Sequence, residues 1–263
     1  MCQGVAEWRE NHMEEKLYTI PLTEAFEADD ECALCHVQRK IENDLLDFVL
    51  GSASSYMESD VRAMTDKEGF CKVHFKKMFD YGNTLGNGWI LKTHFEQINY
   101  ELKNQIKMFA PSKTSFMDKL KKKGTDEENP IAKWARLRDK SCYICKHFDD
   151  TYSRYLDTFF HMYKEGTLYN MIEKSKGFCL HHFGELCGMA DTKLNGKQRE
   201  EFYPLLFSVM KSALERVGED VSWLVEKFDY KNSNADWKNS KDAIQRGMQK
   251  LRGGYPADSP HKK

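Results

Sequence analysis

Two stretches of this chain carry the same chemical pattern in the same order. The first reads Cys32-Ala33-Leu34-Cys35 and later Gly69-Phe70-Cys71-Lys72-Val73-His74-Phe75. The second reads Cys142-Tyr143-Ile144-Cys145 and later Gly177-Phe178-Cys179-Leu180-His181-His182-Phe183. Sliding the chain by 110 positions aligns the CxxC motifs, Cys32 on Cys142, and a slide of 108 aligns the CxxH motifs, Cys71 on Cys179. The match goes beyond the ligands. Leu34, Leu45, Leu46, Val49 and Leu50 fall on Ile144, Tyr155, Leu156, Phe159 and Phe160, and Asn87-Gly88 falls on Asn195-Gly196. Further on, Ile98, Leu102, Ile106 and Phe109 fall on Leu206, Met210, Leu214 and Val217. Agreement of ligands, turn residues and apolar positions together marks a tandem duplication.

Each copy has helical periodicity. Leu34, Val37, Ile41, Leu45 and Phe48 recur every three or four residues, as do Leu91, Phe95, Ile98, Leu102, Ile106 and Phe109. That spacing lines one face of an α-helix. The second copy repeats it through Phe148, Tyr152, Tyr155, Phe159 and Tyr163. A longer stripe runs through Phe202, Leu206, Val209, Ala213, Val217, Val221, Leu224 and Phe228. Strand-like alternation is absent. The expected fold is all-α, a tandem duplication of a metal-stapled helical unit. Each unit has a helix opened by CxxC, a short helix, a helix carrying CxxH, and a long closing helix.

The expected organisation is a disordered leader over 1–16, a first unit over 17–110, a charged linker over 111–138 and a second unit over 139–229. A polar loop, a short helix from about Lys241 to Leu251 and a tail occupy 230–263. Pro111, the Lys121-Lys122-Lys123-Gly124 run and Asp126-Glu127-Glu128-Asn129-Pro130 are the linker signals.

The thiols carry the chemistry. A CxxC sets two sulfurs one helical turn apart, facing one ion, and a CxxH adds a sulfur and an imidazole from the start of another helix. Three sulfurs and one nitrogen close the tetrahedral shell typical of structural zinc. The expected sites are Cys32, Cys35, Cys71, His74 and Cys142, Cys145, Cys179, His182. Each metal would then join two helix N-termini within one repeat, across intervening stretches of 35 and 33 residues. His181 is the rival of His182, and alignment with His74 favours His182. Iron–sulfur is the alternative cofactor to zinc, since shells of this composition also hold clusters. Disulfides are disfavoured by the paired histidines and by the reducing compartment expected below. Cys32-Ala33-Leu34-Cys35-His36 also spells a haem attachment motif, but the second copy reads Cys145-Lys146-His147 and leaves no such motif. Dithiol redox chemistry would want a strand before CxxC, and none is patterned there. Cys187 has no repeat partner and reads as a small core residue.

Other features narrow the class. Forty Lys and Arg against 41 Asp and Glu leave a formal charge of −1, which argues against a nucleic-acid coat or an anionic-membrane binder. The Lys119–Lys123 run therefore reads as a solvated face. No apolar run approaches a bilayer span, and Met1–Ile20 lacks a signal-type apolar core, so a cytoplasmic location is expected. There is no phosphate loop, nucleophile elbow or HExxH, which favours a non-catalytic role. Residues 143–183 hold ten aromatics and the matching 33–75 hold four. That excess is read as a bulkier core in preference to a ligand pocket.

Glu15–Phe26, the twin CxxC…GFCxxH units and Lys227-Phe228-Asp229-Tyr230…Trp237…Ser240-Lys241-Asp242-Ala243 together resemble an uncharacterised bacterial family, a domain of unknown function. The resemblance spans about Glu14 to Leu251. It implies a cytoplasmic protein with metal-ligating cysteines and no known activity. Some members carry an ABC-transporter substrate-binding label, which the helical, cysteine-bearing pattern does not support. The expectation is a zinc-binding, non-catalytic helical protein with an unidentified protein or small-molecule partner. An iron–sulfur or thiol-dependent redox enzyme is the alternative.

Overall fold

The computed structural model describes residues 17–53, 55–109 and 128–256. The expected leader, Cys2 and the Lys119–Lys123 run lie outside them. Among the described residues there are eleven α-helices and no strand. A helix over 17–27 (α1) precedes α2 (Ala33–Leu50), α3 (Ser59–Glu68), α4 (Lys72–Tyr81) and α5 (Thr84–Met108). Then come α6 (Pro130–Lys140), α7 (Tyr143–Lys164), α8 (Tyr169–Lys174), α9 (Leu180–Lys193), α10 (Gly196–Glu226) and α11 (Ala243–Arg252). The expected order therefore appears twice, as α2–α5 and as α7–α10.

Local sequence explains most of the boundaries. Asn195 opens α10 with a capping box, its side chain accepting from Gln198 N–H while the Gln198 side chain accepts from Asn195 N–H, both at 3.0 Å. Its aligned partner Asn87 is not a cap. Asn83 starts α5 one turn earlier, accepting from Gly86 N–H at 2.9 Å, and Asn87 donates instead to the Met78 carbonyl at 2.8 Å. The segment expected to be linker up to 138 contains α6. Asn129 accepts from Ile131 and Ala132 N–H, and Pro130 takes the first helical position, where its missing donor costs nothing.

The chain packs as two compact units that cut across the repeats. Unit I contains the described residues up to Glu42 and those from Phe148 onward, and unit II contains Asn43–His147. Helix α2 consequently changes its buried face along its length. Leu34, Val37 and Ile41 are buried in unit I, whereas unit II buries Leu46, Val49 and Leu50, and Phe48 is exposed. The expected stripe is corrected at Phe48, whereas Leu45 is partly buried against the unit II core.

In unit I most of the aromatic excess is core, although Tyr143 packs in unit II and Tyr169 is exposed. Phe159, Phe160, Phe178 and Phe202 are fully buried and meet edge to face or tilted, with centroids 5.3 to 6.5 Å apart. In unit II the long stripe of α5 is not core: Leu91, Phe95 and Ile106 are exposed. Helix α5 is anchored near its start by Ile90, fully buried in the unit II core with Trp89 packed beside it, and further along by polar contacts. Thr93 donates to Asp66 at 2.6 Å, and Glu101 accepts from Trp134 Nε1 at 2.9 Å and pairs with Arg138 at 3.3 Å.

One buried polar network braces unit I. Glu31, 2 % exposed, takes a bidentate pair of hydrogen bonds from Arg216 at 2.9 and 2.6 Å, and Lys250 Nζ lies 3.1 Å from its Oε2. Burial pushes the Glu31 carboxyl up, but Arg216 and Lys250 outweigh it and hold it below the usual carboxylate range. Lys250 also donates to the Glu31 and Lys176 carbonyls. Replacing it leaves three acceptors without that donor. Lys250→Met should therefore destabilise unit I by about 3–5 kcal/mol, read by urea unfolding; a loss under about 1 kcal/mol would contradict this account.

Candidate metal centres

Each CxxC begins a helix and each CxxH begins another, so every ligand side chain leaves a first turn or the residue capping it. Cys71 and Cys179 are the N-cap residues of α4 and α9. The glycine of each GFC has a left-handed backbone, φ +64° at Gly69 and φ +85° at Gly177. A β-carbon at Gly69 would meet the His94 ring at 2.8 Å, and one at Gly177 would meet Ala213 Cβ at 2.9 Å. The following phenylalanines, Phe70 and Phe178, are buried. Glycine thus lets the chain reverse sharply, phenylalanine anchors it, and the cysteine is delivered at the helix start.

The ligands assemble across the repeats. Cys32 and Cys35 meet Cys179 and His182 in unit I, and Cys142 and Cys145 meet Cys71 and His74 in unit II. All eight expected residues fall in these two clusters, but the within-repeat grouping is corrected: each CxxC is completed by the CxxH of the other copy. The physical reason is that both copies have the same motif geometry. Spacing alone therefore cannot distinguish closure within a repeat from closure between repeats. The switch of buried face along α2 is the signal that separates the two.

The geometry fits a single four-coordinate ion. Sulfur at about 2.3 Å and nitrogen at about 2.0–2.1 Å from zinc imply tetrahedral edges of about 3.8 Å between sulfurs and about 3.5 Å from nitrogen to sulfur. In unit I, His182 Nδ1 lies 3.2, 3.5 and 3.2 Å from the sulfurs of Cys32, Cys35 and Cys179, and Cys35 and Cys179 are 3.7 Å apart. In unit II, His74 Nδ1 lies 3.3, 3.3 and 3.4 Å from Cys71, Cys142 and Cys145, and Cys71 and Cys145 are 3.9 Å apart. All six thiols are free, not disulfide-bonded.

Backbone donors are already aimed at the sulfurs. Cys35 N–H points to Cys32 Sγ at 3.4 Å, Cys145 N–H to Cys142 Sγ at 3.5 Å, and His182 N–H to Cys179 Sγ at 3.5 Å. Such donors at helix N-termini favour thiolate, the form that binds metal. Burial pushes the Cys142 thiol up, but His74 and the Cys145 and Cys71 backbone bring it down to about 6. Burial pushes Cys32 and Cys145 up, with neighbouring thiolates adding to it. Burial pushes the His182 imidazole down, yet hydrogen bonds to Cys179 and Cys35 bring it to about 9.

The two clusters differ in exposure. All four unit I ligands are buried, and Gly253, just beyond α11, lies over them: a β-carbon there would sit 3.4 Å from Cys179 Sγ and 3.6 Å from Cys35 Sγ. In unit II only His74 and Cys142 are buried, and Cys71 and Cys145 are partly exposed.

Neighbouring histidines take other roles. His181 is exposed and outside both four-residue clusters, and lies with His182 and Glu185 in a third group of three. His94 supports the Gly69 turn, its Nδ1 2.9 Å from the Asp66 carbonyl. His147 packs on Tyr143 at 4.3 Å between centroids. Cys187 is partly buried and belongs to neither cluster.

The turn geometry predicts that Gly177→Ala destabilises the protein by at least about 1–2 kcal/mol from its left-handed backbone. Gly184→Ala, in open space within α9, should stabilise it by roughly 0.5–1 kcal/mol. Paired denaturation curves test both signs.

No curated protein and no solved structure matches this chain. A family model does match, over residues 13–258, nearly the whole length. The chain belongs to DUF6062, a family of unknown function.

Proposed function

We propose that this is a zinc protein in which two closed Cys₃His centres, each made from both repeats, serve as structural staples and not as catalysts. The carrying observation is the pair of tetrahedral ligand sets, three sulfurs and one Nδ1 each, with edges close to those of a zinc shell. The residues that would hold the ions are Cys32, Cys35, Cys179 and His182 in one centre, and Cys71, His74, Cys142 and Cys145 in the other. Bound zinc would supply cross-linking and would favour the thiolates. Four protein ligands leave no coordination position for substrate or water, which supports a non-catalytic role. An iron–sulfur cluster spreads its ligands over several irons, whereas these ligand atoms lie within 4.8 Å of one another, which favours a mononuclear ion. Partner binding, to a protein or a small molecule, would then belong to the helical surfaces, with the metals keeping those surfaces in shape. No helix among the described residues is long and apolar enough to cross a membrane.

Elemental analysis of protein purified without chelator should give two zinc per chain and a colourless solution; a brown, iron-containing protein would overturn the reading. Cross-repeat closure makes a sharper expectation. Cys32→Ser/Cys179→Ser disables one centre and should retain one zinc, whereas Cys32→Ser/Cys71→Ser disables both and should retain none. The reverse result would mean closure within repeats. A strong chelator should remove zinc in two phases, the faster from the partly exposed centre of unit II, and Cys71→Ser should abolish that fast phase alone.

A further inference from the structure

The loop between α10 and α11 contributes no residue to either Cys/His cluster, yet it is held by specific contacts. Lys227, 6 % exposed, donates from Nζ to the carbonyls of Asn232, Ser233 and Ala235 at 2.7, 3.0 and 2.6 Å, and lies 4.9 Å from the Trp237 ring centroid. Trp223 Nε1 donates to the Asp236 carbonyl at 2.9 Å, and Arg246 donates to the Asn239 carbonyl. A buried ammonium, an indole and a guanidinium thus fix the backbone of a loop from Asp229 to Asp242. Such fixing keeps a ligand from having to order the loop on binding.

That loop overhangs a cleft of about 530 Å³ in unit I, within the range of small-molecule sites. Five cationic and three acidic side chains line it. The two arginines are already committed: Arg216 to Glu31, and Arg246 to Asp220 and Asp242 at 2.9 Å each. Three lysines remain. Lys241 is exposed and has no hydrogen bond or ion pair among the described residues. Lys238 has a left-handed backbone, φ +49°, the one non-glycine with positive φ among the described residues, and its ammonium rests 4.2 Å from the Trp223 ring centroid. A lysine in that region is strained. Lys176 pairs with Asp29, whose side chain is 90 % exposed, so an incoming anion can displace that carboxylate at little cost.

We infer that this cleft is a binding site for a small phosphorylated anion, held by Lys176, Lys238 and Lys241. Three ammonium groups on flexible stems suit the spread charge of a phosphate better than the planar fork that a carboxylate prefers from arginine. The arginines, held by Glu31, Asp220 and Asp242, line the same cleft. The inference does not depend on which metal, if any, the thiol clusters hold.

Calorimetric titration of the full-length chain with inorganic phosphate, pyrophosphate and succinate at matched ionic strength tests it. Pyrophosphate should bind saturably, one per chain, and more tightly than succinate. Lys238→Gln/Lys241→Gln should weaken that binding about ten-fold or more, the loss of two charge-assisted contacts, with melting and metal content unchanged. If the double variant misfolds, Lys241→Gln alone carries the test, since its side chain supports nothing in the fold. Absence of saturable pyrophosphate binding, equal affinity in wild type and variant, or succinate binding as tightly as pyrophosphate would each overturn the assignment.

Discussion

Everything in this fold depends on ligands far apart in sequence converging on one point. In unit I, Cys32 Sγ and His182 Nδ1 meet at 3.2 Å although 150 residues separate them. Closing so long a loop costs more entropy than any local hairpin does, and only tight, specific bonding at the end of it can offset that cost. The surrounding structure serves that convergence. Left-handed glycines deliver Cys71 and Cys179, helix N-termini stabilise the sulfurs, and in unit I the Glu31–Lys250–Arg216 network fixes the loop that carries Cys32.

The membership of the two Cys/His clusters was legible in the sequence because each motif is local. CxxC and CxxH are one-turn spacings, and helices α2, α7 and α10 follow directly from apolar periodicity and, for α10, the capping residue Asn195. The partnership between motifs was not legible, because two copies with the same spacing offer two equivalent closures. What separates them is a change of buried face partway along α2, from Ile41 to Leu46, and periodicity counts register such a change as noise. Helix α5 misled in the opposite sense. Leu91, Phe95 and Ile106 form a regular apolar stripe, but the helix is fastened through Ile90, Thr93 and Glu101 and leaves those three outside. Periodicity reports what a helix could bury, not what packs against it.

The aromatic-rich second copy shows how a duplication diverges while keeping its frame. The same helix order supports a dense phenylalanine core in unit I and a smaller one in unit II. The two Cys/His clusters diverge in parallel, one sealed beneath Gly253 and one with two sulfurs partly open. Equal ligand sets therefore sit in unequal surroundings, and solvent access, not donor chemistry, distinguishes them.

Crossed closure also imposes an order on biosynthesis. The ligands of unit II end at Cys145, whereas those of unit I are incomplete until His182 has been made. At about 5–20 residues per second, Cys32 and Cys35 leave the ribosome and wait several seconds as a bare dithiol before their partners exist. Neither repeat, expressed or cleaved free of the other, has more than half the ligands of either centre. The duplication has thus made two modules that cannot be separated: a chain truncated between them keeps four ligand residues and no complete site.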